Sequence, residues 1–364
     1  MKNLKNFFYK KKIIITGHTG FKGSWLVEWL KTYDAKLIGI SIDVPTKPSH
    51  FQVSKIYKDI KDCRLDVKNQ IKIKKFFIKI KPDYVFHLAA QSLVKKSYKY
   101  PVDTWSTNLI GTLNVLESLR ELNKIKKKCT AIIITSDKCY LNREIKTGYI
   151  ESDVLGGDDP YSASKASAEL LIRSYVKSYF NKNNSYIRIA SVRAGNVIGG
   201  GDWSEDRLIP DCVKKWSKNQ IVKIRNPFST RPWQHVLEAI YGYILLAANL
   251  SKNLNLHGES FNFGPSKNKN YSVISLIKTM KKFWKDIQWK VEKSNNFKET
   301  DLLIFNTEKV KKKIKWKSIL KFEENVSMVI DWYKNFYLKK ISPSKFTMNQ
   351  IIKYKKILAK RELI

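Results

Sequence analysis

Apolar positions fall along this chain in two alternating styles, short unbroken runs and stripes spaced for one face of a helix. Ile13-Ile14-Ile15, between Lys12 and Thr16, is such a run and predicts a short strand; Trp25, Leu26, Val27, Trp29 and Leu30 behind it predict an amphipathic helix. Residues 36–42 read as a second strand and 82–90 as a further buried one, followed by a helix over 101–120. Ile132-Ile133-Ile134, bounded by hydroxyls, reads as a buried parallel strand, and Pro160 suits the first turn of the helix after it. Residues 186–192 give one more strand. Gly195, Gly199, Gly200 and Gly201 then mark a loop, because so many glycines do not continue a strand cheaply. Beyond it helices and short strands alternate through Trp332, residues 261–265 are expected to form a loop, and 350–361 form a basic helical tail. Strands alternating with helices predict an α/β fold with a doubly wound parallel sheet.

The chain has 364 residues, enough for two domains or one large one. Its formal charge of +37, from 69 basic and 32 acidic residues, raises nucleic-acid binding as a question. The lysines are spread over nearly every predicted helix without interleaved aromatics, so they read as solvated faces, and no nucleic-acid partner is expected. The charge would still steer an anionic nucleotide toward the protein. Cys63, Cys129, Cys139 and Cys212 show no metal-ligand spacing, so reduced thiols and no metal site are expected, with Cys139 a packing residue. No apolar stretch reaches the ~18 residues of a membrane span. A cytoplasmic location and no membrane partner follow as expectations.

The candidate chemistry sits at strand ends. Gly17, Gly20 and Gly23, spaced three apart between the first strand and its helix, would let a pyrophosphate approach the helix N-terminus, with Thr19, Phe21 and Lys22 in the same turn. Asp43, twenty residues after Gly23, is placed to accept bonds from the adenosine ribose, which favours NAD over NADP. Leu88, Ala89 and Ala90 are small enough to lie flat against a cofactor, Ser92 opens the crossing loop, and His87 reads as a packed histidine. Ser136, Asp137 and Lys138 emerge at the carboxyl end of their strand, where open α/β sheets bind ligands. Tyr161 and Lys165 are four apart on one helical face, so an ammonium can favour the ionised phenol. Arg207 and Arg231 are candidate diphosphate clamps, since a guanidinium fork matches phosphate oxygens. Asn196, Leu208, His235 and Asn262 complete the substrate-side candidates.

The order strand, Ser136, then a helix with Tyr161 and Lys165 resembles the short-chain dehydrogenase/reductase superfamily, in which these three residue types drive hydride chemistry at a nicotinamide. Four stretches carry a narrower resemblance: Gly17-His18-Thr19-Gly20-Phe21-Lys22-Gly23-Ser24-Trp25, Ser136-Asp137-Lys138-Cys139-Tyr140, residues 193–203, and Arg231-Pro232-Trp233-Gln234-His235-Val236. Together they resemble the CDP-glucose 4,6-dehydratase family, whose dTDP-glucose and GDP-mannose relatives carry an acid where this chain has Lys138.

The resemblance implies a Rossmann-like NAD-binding domain over residues 1–194 and about 236–258. A smaller, discontinuous nucleotide-sugar domain would cover 195–235 and 259–345, ahead of a tail over 346–364. It also implies a tightly held NAD regenerated in each turnover, CDP-glucose as substrate, and Asp66 beside the adenine. Tyr161 would take the 4-hydroxyl proton while Ser136 bonds that oxygen and Lys165 supports the phenolate. Asp137 would protonate the departing 6-hydroxyl, and Lys138 would act at C5 as base or as electrophile. A homodimer or homotetramer, paired through the 101–120 and Tyr161 helices, is implied too. The alternatives are another nucleotide-sugar dehydratase or a 4-epimerase, and, from a different class, a dinucleotide-sensing or RNA-binding protein on the same fold.

Overall fold

The computed structural model describes residues 2–181, 185–265, 270–292, 303–339 and 342–362. Seven strands form one parallel sheet: β1 (Lys12–Thr16), β2 (Lys36–Ser41), β3 (Lys61–Arg64), β4 (Tyr84–His87), β5 (Cys129–Ile134), β6 (Ile187–Ala194) and β7 (Ser260–Phe263). Their order is β7-β6-β5-β4-β1-β2-β3, with Thr16 level with His87 across the β1/β4 pair. The chain direction of the order reverses between β1 and β4. That reversal opens a crevice at the carboxyl ends of the strands, where such sheets bind ligands.

The apolar runs are continuous because both faces of the sheet are covered. Ile13, Ile15, Phe86, Ile132 and Ile134 point into one core, which holds Trp25, Trp29 and the apolar helix Val236–Leu250. Ile14, Val85, Ala131 and Ile133, one residue out of step, point into the other with Val115, Leu119 and Ile172. Four helices matter below: α1 (Phe21–Lys31), α2 (Pro160–Tyr179), α3 (Leu208–Trp216) and α4 (Val236–Leu250). Pro160 opens α2, and the Asp159 side chain accepts from Ser162 N at 3.0 Å, so a proline and a cap fix where that helix begins.

Two expectations change. Residues 261–263, expected as loop, form the edge strand β7, with Phe261 level with Val192 and Asn262 with Arg193. The Gly264-Pro265 pair punctuates the end of a strand whose Phe261 and Phe263 are wholly buried. Residues 260–263 therefore belong to the seven-stranded sheet. The expected tail is also no appendage: helix Pro343–Glu362 buries Ile351, Tyr354 and Leu358 in the main core, and Lys355 Nζ donates to Thr32 Oγ1 at 2.7 Å. Its lysines had suggested a solvated helix, but an apolar residue recurs every three or four positions. Among the described residues no helix is long and apolar enough to cross a membrane.

Candidate active site

The turn after β1 is pressed into place by its neighbours. Gly17 has φ +73°, and a Cβ there would come within 2.7 Å of Ala89 N; a Cβ on Gly23 would lie 2.7 Å from His18 Cα. Gly20 differs, since its Cβ would meet only Gly17 O, at 3.3 Å. Space therefore remains above Gly20, and no side chain caps the N-terminus of α1 that it precedes. His18 bonds Ser41 Oγ (3.0 Å) and Asp62 Oδ1 (2.9 Å), and Thr19 Oγ1 donates to Asp43 O at 2.7 Å, so the turn is tied to the ends of β2 and β3. The Asp43 side chain is exposed there. Asp66 instead closes its own loop, accepting from Lys68 N at 2.8 Å.

Leu88, Ala89 and Ala90 are half-buried beyond β4 and Ser92 is exposed. His87 bonds Thr16 Oγ1 (2.7 Å) and Thr112 Oγ1 (3.1 Å), and burial pushes its pKa down to about 3, so it is a neutral packed histidine. Asn108 sits in a wide turn, Ser106–Ile110. It donates to Gln91 O at 3.0 Å and Ser164 Oγ at 2.9 Å, joining the crossing loop to α2.

The structure brings Ser136, Asp137, Lys138, Tyr161 and Lys165 to one floor. Ser136 shares a hydrogen bond with Tyr161 and donates to Asp137 Oδ1 at 2.9 Å. Lys138 N donates to the same carboxylate at 3.0 Å, and Asn196 Nδ2 reaches its other oxygen at 3.5 Å. The absent side chain of Gly195 leaves the room Asp137 occupies. Burial pushes Tyr161 up to about 12, with the Ser136 bond pulling down and the Asp137 charge pushing up. The expected lowering by Lys165 does not stand among these effects: desolvation dominates, and the cation that pulls the phenol down is Arg207. Lys165 is itself pushed down to about 8, chiefly by burial and then by the Lys22 ammonium, with Glu169 opposing.

Lys22, expected in the cofactor turn, also feels the other side of the crevice. Burial and the Arg207 guanidinium push it down to about 8, against the pull of Asp137 and Asp202. Arg207 donates to Asp202 at 3.0 Å just before Leu208 opens α3, while Arg231 stands half-buried in the short strand Thr230–Arg231. A small recess beside Asp137 is lined by Gly195, Pro232, Pro265, Leu303 and Phe305.

A family model described as GDP-mannose 4,6 dehydratase matches residues 14–329. The chain belongs to the GDP-mannose 4,6-dehydratase family. Within it, the chain is 41% identical over 335 residues to a CDP-glucose 4,6-dehydratase of Salmonella typhimurium, covering 91% of this chain and 92% of that one. The fold likeness extends to a dTDP-glucose 4,6-dehydratase of Bacillus anthracis solved with NAD, with TM-score 0.71, 21% identity, and 90% and 98% of the two chains covered. A UDP-glucuronic acid 4-epimerase of Bacillus cereus, solved with UDP-glucuronic acid and NAD, gives TM-score 0.75 at 22% identity, covering 90% and 100%.

Two of the family member's expected substrate contacts do not reach the crevice. His235 is wholly buried as the cap of α4, accepting from Leu237 N at 3.2 Å, and burial holds its pKa near 3. Asn262 is wholly buried in β7, bonding Tyr140 at 2.8 Å and Tyr149 O at 2.9 Å. Both stand beside loop signals, which made structural side chains look like ligand contacts. Arg193 and Glu169, a buried ion pair at 2.9 Å beneath the floor, were missed. Arg193 is one of two arginines in β6 and lies almost wholly buried, and a buried charge demands a partner.

Proposed function

We propose that the protein is a CDP-glucose 4,6-dehydratase, turning CDP-D-glucose into CDP-4-dehydro-6-deoxy-D-glucose with NAD retained through each turnover. The observation that carries this reading is that Ser136, at the end of β5, donates to Asp137 and stands beside Tyr161, on the helix that also carries Lys165. The 41% identity to a protein of that activity supports the choice of nucleotide.

The residues present fit a dinucleotide. The clear space above Gly20 and the uncapped start of α1 suit a pyrophosphate, and exposed Asp43 suits ribose hydroxyls. Lys22, lying among charges of both sides of the crevice, supports a role toward the diphosphates there. When bound, NAD supplies the acceptor for the C4 hydride, its return to C6, and a positive charge that favours a phenolate.

Tyr161 takes the proton of the 4-hydroxyl while Ser136 bonds that oxygen; a positioned base of this kind contributes ~10²–10⁴-fold. With C4 a ketone, the C5 hydrogen becomes acidic. Lys138 removes that proton, or its ammonium steadies the enolate while the proton passes to solvent, and Asp137, having taken up a solvent proton beforehand, gives it to the 6-hydroxyl as it leaves as water. A solvent proton replaces the one lost from C5. Arg207 and Arg231 take the diphosphate, with Asn196, Leu208 and Ser92 along the sugar and nucleotide path.

The four cysteines, all free, accord with a reducing cytoplasm. We expect a homodimer or a pair of dimers, because Val102, Ile110 and Leu170 leave apolar area exposed on the two helical segments that flank the floor. Neither a nucleic acid nor a membrane is a partner in this reading. The test is incubation with CDP-, dTDP-, GDP- and UDP-glucose, watching for a 4-keto-6-deoxy product. Conversion of CDP-glucose is expected. A 4-epimer as product, or no conversion of CDP-glucose, overturns the assignment.

A further inference from the structure

The turn that carries Asp137 and Lys138 is a single tight one, Asp137–Cys139, and its two ends are fastened by one buried polar cluster. At the near end Thr135 donates to Glu169 Oε1. At the far end Tyr140, only 1% exposed, donates its hydroxyl hydrogen to Asn262 Oδ1 at 2.8 Å and accepts from Arg193 Nη1 at 2.6 Å. Arg193 also lies with its guanidinium carbon 4.7 Å from the centre of the Tyr140 ring. Its other nitrogen donates to Glu169 Oε2 at 2.9 Å, and Ser191 (2.8 Å) and Ser260 (3.1 Å) donate to the same oxygen. The cluster therefore joins the turn after β5 to α2, β6 and β7.

A buried ion pair is a poor device for stability alone, since apolar residues of equal volume avoid its desolvation cost. This pair does something apolar residues do not: it fixes a hydroxyl in position by a charge-assisted bond. Ser136, Tyr161 and Lys165 are held by the end of β5 and by α2. Asp137 and Lys138 lie one step further out, between that anchor and Tyr140. We infer that Arg193, acting through the Tyr140 hydroxyl, is a positioning residue for the elimination at C5 and C6, separately from the oxidation at C4. The inference rests on the dehydratase reading. Arg193 and Tyr140 act on the reacting atoms only through the turn.

Tyr140→Phe removes the hydroxyl and keeps the ring. The assay uses the nucleotide hexose that the wild-type protein converts, and follows the reduced nicotinamide and deuterium uptake at C5 separately. In the variant, oxidation is expected to stay within about 2-fold while C5 exchange falls by about 10²-fold, the cost of a displacement near 1 Å. Reduced nicotinamide then accumulates. Arg193→Lys, which keeps the charge and loses the fork, is expected to show the same split. Equal loss in both half-reactions, or no loss in either, overturns the inference while leaving wild-type conversion, and hence the proposed function, intact. Absence of conversion by the wild-type protein overturns the dehydratase reading and the inference with it.

Discussion

Gly195→Ala tests the seat of the acid directly. A Cβ added at Gly195 falls inside the space of the Asp137 carboxylate, and even the farther oxygen, Oδ1, would lie only 2.6 Å away, against 3.4–4 Å for ordinary contact. The carboxylate must retreat by about 1 Å, a distance that costs about 10²-fold when it separates a catalytic group from its target. In retreating it gives up bonds from Ser136 Oγ (2.9 Å) and Lys138 N (3.0 Å). Bonds to a charged group contribute about 1.5–3 kcal/mol each, and rotation of a short side chain toward the recess recovers part of that. We therefore expect a stability loss of no more than about 3 kcal/mol and a loss of about 10²-fold in the elimination step, or about 2.7 kcal/mol of barrier. The assay pairs urea unfolding with single-turnover kinetics on CDP-glucose, reading reduced nicotinamide and C5 deuterium exchange. A variant that eliminates water at the wild-type rate would refute the placement of Asp137. So would equal loss of oxidation and elimination.

Tyr161→Phe is expected to abolish reduced-nicotinamide formation, whereas Lys138→Ala is expected to keep it and to lose C5 exchange; calorimetry of NAD binding would show that both still hold the cofactor. Gly20→Ala meets only one atom closely, so folding should change by less than about 1 kcal/mol while NAD affinity falls. Gly17→Ala, at φ +73° and against backbone 2.7 Å away, should unfold at markedly lower temperature; equal melting points for the two would contradict this assignment of the turn. The folded protein holds Lys165 down at about 8, below the ~10.4 of an unfolded chain, so the unfolded state binds more protons between those values. The burial penalty is then present in full below pH 8 and relieved as pH rises to about 10.4, raising stability by about 3 kcal/mol over that window. Lys165→Met should lack that gain. Parallel curves of unfolding free energy against pH for wild type and variant would refute it.

What was legible in the sequence was what depends on near neighbours. Tyr161 and Lys165 share a helical face by spacing alone, Ser136 ends an apolar run, and the glycine turn stands between strand and helix. Each signal spans fewer than ten residues, and the structure brings all of them to one crevice. His235 and Asn262 misled for the opposite reason: their loop-like surroundings were local, but their burial depends on α4 and on the pairing of β7 with β6. Pairing of that kind also hid the Arg193 cluster. Glu169 is one more charged residue in a chain with 32 acids, and nothing in α2 sets it apart until Asn262 is brought level with Arg193. Its position does follow a rule that can be applied in advance. Tyr161, Lys165 and Glu169 recur at intervals of four, so the face that presents the phenol also carries a carboxylate two turns further in. Arg193, buried near the end of β6, then requires a buried anion within reach, and Glu169 is one that the helix supplies. Charged residues inside two buried elements, read as a pair, thus locate the support beneath a catalytic floor.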